Sequence, residues 1–121
     1  MNQQEVFNLI RQLTGQPNII AVPRIFIDLL DGDYESAILL SQLLYWSDTT
    51  AMPEGWIAKT YNELQEEIGI PKKKAMRIIQ KLKNMDIIET KVKKFNGNPT
   101  VHYSLKKDNL LQLLTQKMSM T

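Results

Sequence analysis

Between Lys72 and Lys94 the chain carries nine lysine or arginine residues against two acids, Asp86 and Glu89, and the chemistry such a cluster suits is recognition of a polyanion. Arg77 and Gln80 have the side chains for reading base edges, since arginine pairs with the O6 and N7 of guanine and glutamine with adenine. Lys73 shares their side of a helical stretch. Lys72, Lys74, Lys81, Lys91, Lys93 and Lys94 suit phosphates, where a flexible point charge fixes position without reading sequence. Asn96 is expected at the tip of a hairpin as a further DNA contact. Catalysis is not expected. His102 is the only histidine and reads as a surface or phosphate contact, because no cysteine or cluster of acids accompanies it. Glu66-Glu67 reads as a solvated helix end, since no nucleophile or glycine-rich phosphate loop stands with it. No metal or cofactor is implied.

Those side chains need a scaffold, and the hydrophobic periodicity supplies one. Ala75, Ile78, Ile79 and Leu82 recur at i, i+3, i+4 and i+7, so they make one core-facing stripe on a helix that opens at Pro71. Lys73, Arg77, Gln80, Lys81 and Asn84 take the opposite side. Cations beside a helix N-terminus oppose its dipole by roughly a few tenths of a kcal/mol each when exposed. Helix stability therefore does not account for Lys72, Lys73 and Lys74, whereas an approaching polyanion does. Just upstream, Thr60-Tyr61-Asn62-Glu63 forms a capping box and Gly69 closes the helix it starts, so two helices joined by a short turn make a helix-turn-helix. After Asp86 the period changes to two. Ile88, Thr90 and Val92 alternate with Glu89, Lys91 and Lys93, Asn96-Gly97 signals a hairpin that Asn98-Pro99 extends, and Val101, Tyr103 and Leu105 alternate with His102, Ser104 and Lys106.

Further upstream, Asp33 is expected to cap a largely buried helix over residues 34–47, followed by a loop over 48–54 and a minor strand over 55–58. Trp46, Trp56 and Tyr45 read as core rather than as stacking platforms for bases. Val6, Leu9, Ile10 and Leu13 line one face of an N-terminal helix, residues 18–22 are apolar and read as extended, and residues 24–30 read as a short helix. At the other end Asp108 is expected to cap a helix whose Leu110, Leu111, Leu113, Leu114 and Met118 are too apolar for a solvated tail. The fold class is mainly α with a small β-hairpin, a winged helix-turn-helix. One domain is expected over the 121 residues, with its core at about 33–106 and with 1–32 and 107–121 as flanking helical extensions.

The formal net charge of +2 hides a division. Residues 1–70 hold ten acids against three cations, while residues 71–121 hold twelve cations against three acids. Such polarity suits an oriented encounter with nucleic acid. The absence of cysteine excludes disulfides and thiolate metal sites. The first residues lack a signal-peptide pattern and no run reaches the roughly eighteen apolar residues of a membrane helix, so a soluble, cytoplasmic protein without membrane contact is expected.

The run Ala37-Ile38-Leu39-Leu40-Ser41-Gln42-Leu43-Leu44-Tyr45-Trp46, with Gly55-Trp56 and Lys59-Thr60-Tyr61-Asn62-Glu63-Leu64, resembles the N-terminal winged-helix domain of replication proteins carried by phages and other mobile elements of Gram-positive bacteria, the DnaD-like replisome organisers among them. Ile87-Ile88-Glu89-Thr90-Lys91 and Asn98-Pro99-Thr100-Val101-His102-Tyr103 fit the same pattern, and the resemblance spans roughly residues 22–107. Asp86 stands where such domains commonly have glycine. The resemblance implies binding to an origin or to single-stranded DNA, and recruitment of a helicase loader. The residues themselves leave two alternatives open, a dimeric transcriptional regulator on a palindromic operator and a winged-helix adaptor that binds protein. Both terminal helices carry more apolar surface than one core face needs, so a homodimer held by them is expected.

Overall fold

The computed structural model describes residues 1–15 and 19–120. Its elements, in chain order, are α1 (Gln3–Thr14), α2 (Arg24–Leu29), α3 (Tyr34–Thr49), a 3-10 turn (Pro53–Gly55), β1 (Ile57–Ala58), α4 (Tyr61–Ile68), α5 (Lys72–Asn84), β2 (Ile88–Phe95), β3 (Asn98–Leu105) and α6 (Lys107–Ser119). The chain is mainly helical, and its three strands form one antiparallel sheet in the order β1-β3-β2. Among the described residues no helix is long and apolar enough to cross a membrane.

Helix α3 lies at the centre because it has no wide polar face. Ala37, Leu39, Leu40, Leu43 and Trp46 are all buried, and the helix contacts α2, α5, β1 and β3. Asp33 starts it, accepting the Ser36 N–H on Oδ1 at 3.1 Å. The helix runs two residues past the expected end at 47, so Asp48 and Thr49 are helical rather than part of a loop. Nothing in the sequence stops it before Pro53, whose ring disfavours helical backbone at Met52. The capping box of α4 forms as expected. The Thr60 hydroxyl oxygen accepts from the Glu63 N–H at 3.0 Å, and Glu63 accepts from the Thr60 N–H at 3.1 Å. Gly69 ends that helix at φ 71°, a left-handed conformation that costs glycine nothing. Pro71 is the N-cap of α5 rather than its first helical residue.

The stripe Ala75, Ile78, Ile79 and Leu82 of α5 is buried against α3, α4 and β2. Its exit into β2 is tight: the Ile87 N–H reaches back to the Leu82 carbonyl at 3.0 Å, and Asp86 sits at φ 59°. A left-handed residue other than glycine costs roughly 1–2 kcal/mol. The Asp86 carboxylate accepts from Lys106 Nζ at 2.6 Å and from Asn109 Nδ2 at 3.1 Å, which ties the turn to the start of α6.

The hairpin has a two-residue turn. Phe95 pairs with Asn98, and Asn96 (φ 52°) and Gly97 (φ 83°) both take the positive φ that a tight hairpin turn needs. Asn98 and Pro99, expected to lengthen the turn, belong to β3 instead. Proline is tolerated there because β1 pairs with β3 only at Tyr103 and His102, so β3 is an edge strand at Pro99. His102 corrects the expectation of a surface residue. It is 2% exposed, with Nδ1 2.9 Å from the Thr100 carbonyl and its ring edge-on to Phe95. Both faces of β3 are thus covered. Tyr103 on the other face is 1% exposed, and its hydroxyl has no hydrogen-bond partner among the described residues.

The two terminal helices behave differently. In α6, Leu110 is buried and Leu113 and Leu114 pack on the core, while Leu111 and Met118 stay exposed. Lys106, not Asp108, is its N-cap, and its side chain makes no capping hydrogen bond among the described residues; Asp108 sits in the first turn, where a negative charge suits the dipole. In α1 no residue is buried. The extended segment expected from Asn18 begins outside the described residues, and Ile19–Val22 form no strand.

Candidate nucleic-acid interface

The thirteen residues of α5 divide into a buried stripe, an outward face and two flanks. Lys73, Arg77, Gln80 and Asn84 follow one another at helical spacing on the outward side, all exposed. Gln80 Nε2 donates to Asn84 Oδ1 at 2.8 Å, which orients both amides and leaves the Gln80 carbonyl oxygen and the Asn84 amino group for other partners. One flank carries Lys72, Met76 and Lys83. Met76 is half exposed, and the Lys72 ammonium lies 5.5 Å from the centre of the Tyr61 ring. Lys83, not among the expected contacts, belongs to this surface, and its spacing of seven from Met76 is the signal in the sequence that places it there.

The other flank faces the first turn of α3, and there the acidic half of the chain meets the basic half. Lys74 pairs with Glu35 at 3.3 Å, while Arg77 Nη1 and Lys81 Nζ reach the same Asp33 oxygen at 3.3 and 3.2 Å. Lys81 also approaches the Leu30 carbonyl at 3.5 Å. Burial would raise the Asp33 pKa, but hydrogen bonds from the Ser36 hydroxyl and N–H, Lys81 and Arg77 outweigh it and hold the carboxyl well below the usual range. Lys107 pairs with Asp48 at 2.9 Å, a fourth ion pair between the two halves. The charge division along the sequence is therefore partly neutralised in space. Of the three lysines in the first turn of α5 only Lys74 is ion-paired among the described residues, with Lys72 beside the Tyr61 ring and both Lys72 and Lys73 exposed. Asp33 and Glu35 were not recognised as site residues, because nothing local to them announces α5.

The hairpin places Lys91, Lys93 and Lys94 along β2 and Asn96 at its turn. Lys93, Lys94 and Asn96 are exposed, and Lys93 and Lys94 enter no ion pair among the described residues. Lys91 differs. Its ammonium stacks over Trp56 at 3.8 Å, and burial together with the charge of Lys93 lowers its pKa. Of the aromatic residues, Trp46 is buried with Lys59 over its ring at 4.4 Å, and Lys59 is held in turn by Glu67 at 2.7 Å. Tyr45, expected in the core, is 61% exposed.

This arrangement defines a class: a small helical chain with a three-stranded sheet, presenting a basic helix and the basic hairpin that follows it. Set against known protein families, curated proteins and solved structures, the chain finds no match in any of the three.

Proposed function

We propose that the protein is a winged helix that binds double-stranded DNA, with α5 in the major groove and the β2–β3 hairpin as the wing on the adjacent groove or backbone. The observation that carries this reading is the outward face of α5. Lys73, Arg77, Gln80 and Asn84 form a continuous exposed row of base-reading and phosphate-binding side chains on a helix whose other side is core. Element order supports it, since a short strand, two helices joined by a tight turn and a basic hairpin succeed one another. The resemblance in sequence supports a role in replication initiation of a phage, plasmid or other mobile element, with a helicase loader as a partner.

A second reading rests on α1. Val6, Phe7, Leu9 and Ile10 are each about two-fifths exposed and Leu13 is 85% exposed, which favours a homodimer with paired α5 helices on adjacent half-sites, the arrangement of an operator-binding regulator. Footprinting across the protein's own genetic neighbourhood tests both. Protection of repeated sites supports an initiator, and protection of one palindrome at a promoter supports a regulator. Failure to bind any DNA at low salt leaves the protein-binding adaptor.

A further inference from the structure

The first turn of α3 makes more contacts with α5 than its own stability requires. Capping a helix takes one side-chain oxygen, and asparagine or serine would serve as well as aspartate. Asp33 uses Oδ1 for the Ser36 N–H and gives Oδ2 to the Ser36 hydroxyl at 2.7 Å, Lys81 at 3.2 Å and Arg77 at 3.3 Å. Its side chain is 20% exposed, and that of Arg77 55%. The carboxylate is therefore set into the protein and holds one end of a guanidinium whose remainder faces solvent. Lys81 alone would balance its charge.

We propose that Asp33 is a positioning residue for DNA recognition: it fixes Arg77 for a guanine contact and withdraws Lys81 from the phosphates. This rests on the DNA-binding reading above. Arginine offers five donors in a rigid fork, and the bond from Nη1 to Asp33 leaves enough of them for the O6 and N7 of one guanine. A fork already pinned at one side loses less side-chain freedom when the base binds, so the bond favours the matched base over mismatches. The carboxylate has the opposite effect on general affinity. It neutralises a cation beside the groove and adds a negative charge near the phosphates, which weakens binding to every sequence alike. Glu35 acts in the same sense on Lys74, one turn earlier on the same flank of α5. Asp33 thus lowers background binding while sharpening one base position.

The test compares wild type with Asp33→Asn and Asp33→Ser, which keep a capping oxygen and remove the charge. Each is first checked for an unchanged helical spectrum and cooperative melting. Two probes are used: a mixed-sequence duplex titrated at several salt concentrations, and selection from a randomised duplex pool. Both variants should bind the mixed duplex several-fold more tightly, with a salt slope steeper by about one. Both should lose the guanine preference that Arg77→Ala also loses. In the Arg77→Ala background, adding Asp33→Asn should cost no further discrimination. If the folded variants select the same sequence as wild type with the same salt slope, the role of Asp33 is refuted and DNA binding stands. If wild type binds neither probe at low salt, the DNA-binding reading fails and takes the inference with it.

Discussion

If the protein binds DNA as proposed, raising salt should weaken that binding steeply, and the ion pairs within the molecule indicate which lysines would produce the effect. Nine cations lie between residues 72 and 94. Lys74, Arg77 and Lys81 are held by Glu35 and Asp33, and Lys91 is stacked on Trp56. The remaining five, Lys72, Lys73, Lys83, Lys93 and Lys94, enter no ion pair among the described residues. If each neutralises one phosphate, log K falls against log salt with a slope of about −4.5, so a change from about 50 to about 200 mM costs roughly 500-fold. Lys94→Ala should reduce the slope by about 0.9, which makes its defect about threefold larger at the lower salt than at the higher. Lys74→Ala should change the slope less, because Glu35 already holds that ammonium. Fluorescence anisotropy on a labelled mixed-sequence duplex, repeated over a salt series, reads all three values. A wild-type slope shallower than about −2, or equal slope changes for the two variants, would refute the assignment of contacts.

Three other outcomes are expected. The full chain should sediment as a dimer at micromolar concentration and Ile10→Glu as a monomer with an unchanged melting temperature, since α1 contributes no buried residue; a monomeric wild type would overturn the dimer. Because Asp33 has a depressed pKa in the folded protein, its stabilising effect is present above the ordinary carboxylate pKa of about 4 and is lost as pH falls below it. Urea midpoints measured against pH should accordingly decline less steeply on the acid side in Asp33→Asn than in wild type, and parallel curves would count against the hydrogen bonds assigned to Asp33. Tyr103→Phe removes a buried hydroxyl that has no partner among the described residues, so stability should hold or rise by up to about 1 kcal/mol in denaturant titration, and a loss of that size would show that the hydroxyl is satisfied.

Much of the fold was legible in the residues because its signals act over a few positions. The capping box at Thr60, the stripe from Ala75 to Leu82 and the Asn96-Gly97 turn each place their partners within one or two helical turns or a single hairpin, and all three form as read. The exposed row on α5 was legible for the same reason, since helical period alone sets Lys73, Arg77 and Gln80 on one side. Boundaries were less so: α3 runs on through Asp48 and Thr49, Pro99 enters a strand, and α6 starts without Asp108 as its cap. What decided those was how neighbouring elements pack, or how far β1 extends beside β3.

The sequence by itself therefore determined which residue types lie on each element and face. Only the tertiary structure decided which charges meet. Asp33 and Arg77 are 44 positions apart, Asp33 and Lys81 are 48, and no periodicity links them. They come together because α3 packs on α5, and that contact turns apparent phosphate binders into internally paired groups. His102 follows the same logic. Alternation along β3 assigned it to the outer side, but burial depends on what covers that side, and Phe95 packs edge-on against its ring. For α1 the outcome is reversed: its apolar stripe forms as the spacing dictates, yet no residue of it is buried, because amphipathic periodicity specifies a face to be covered and not the surface that covers it.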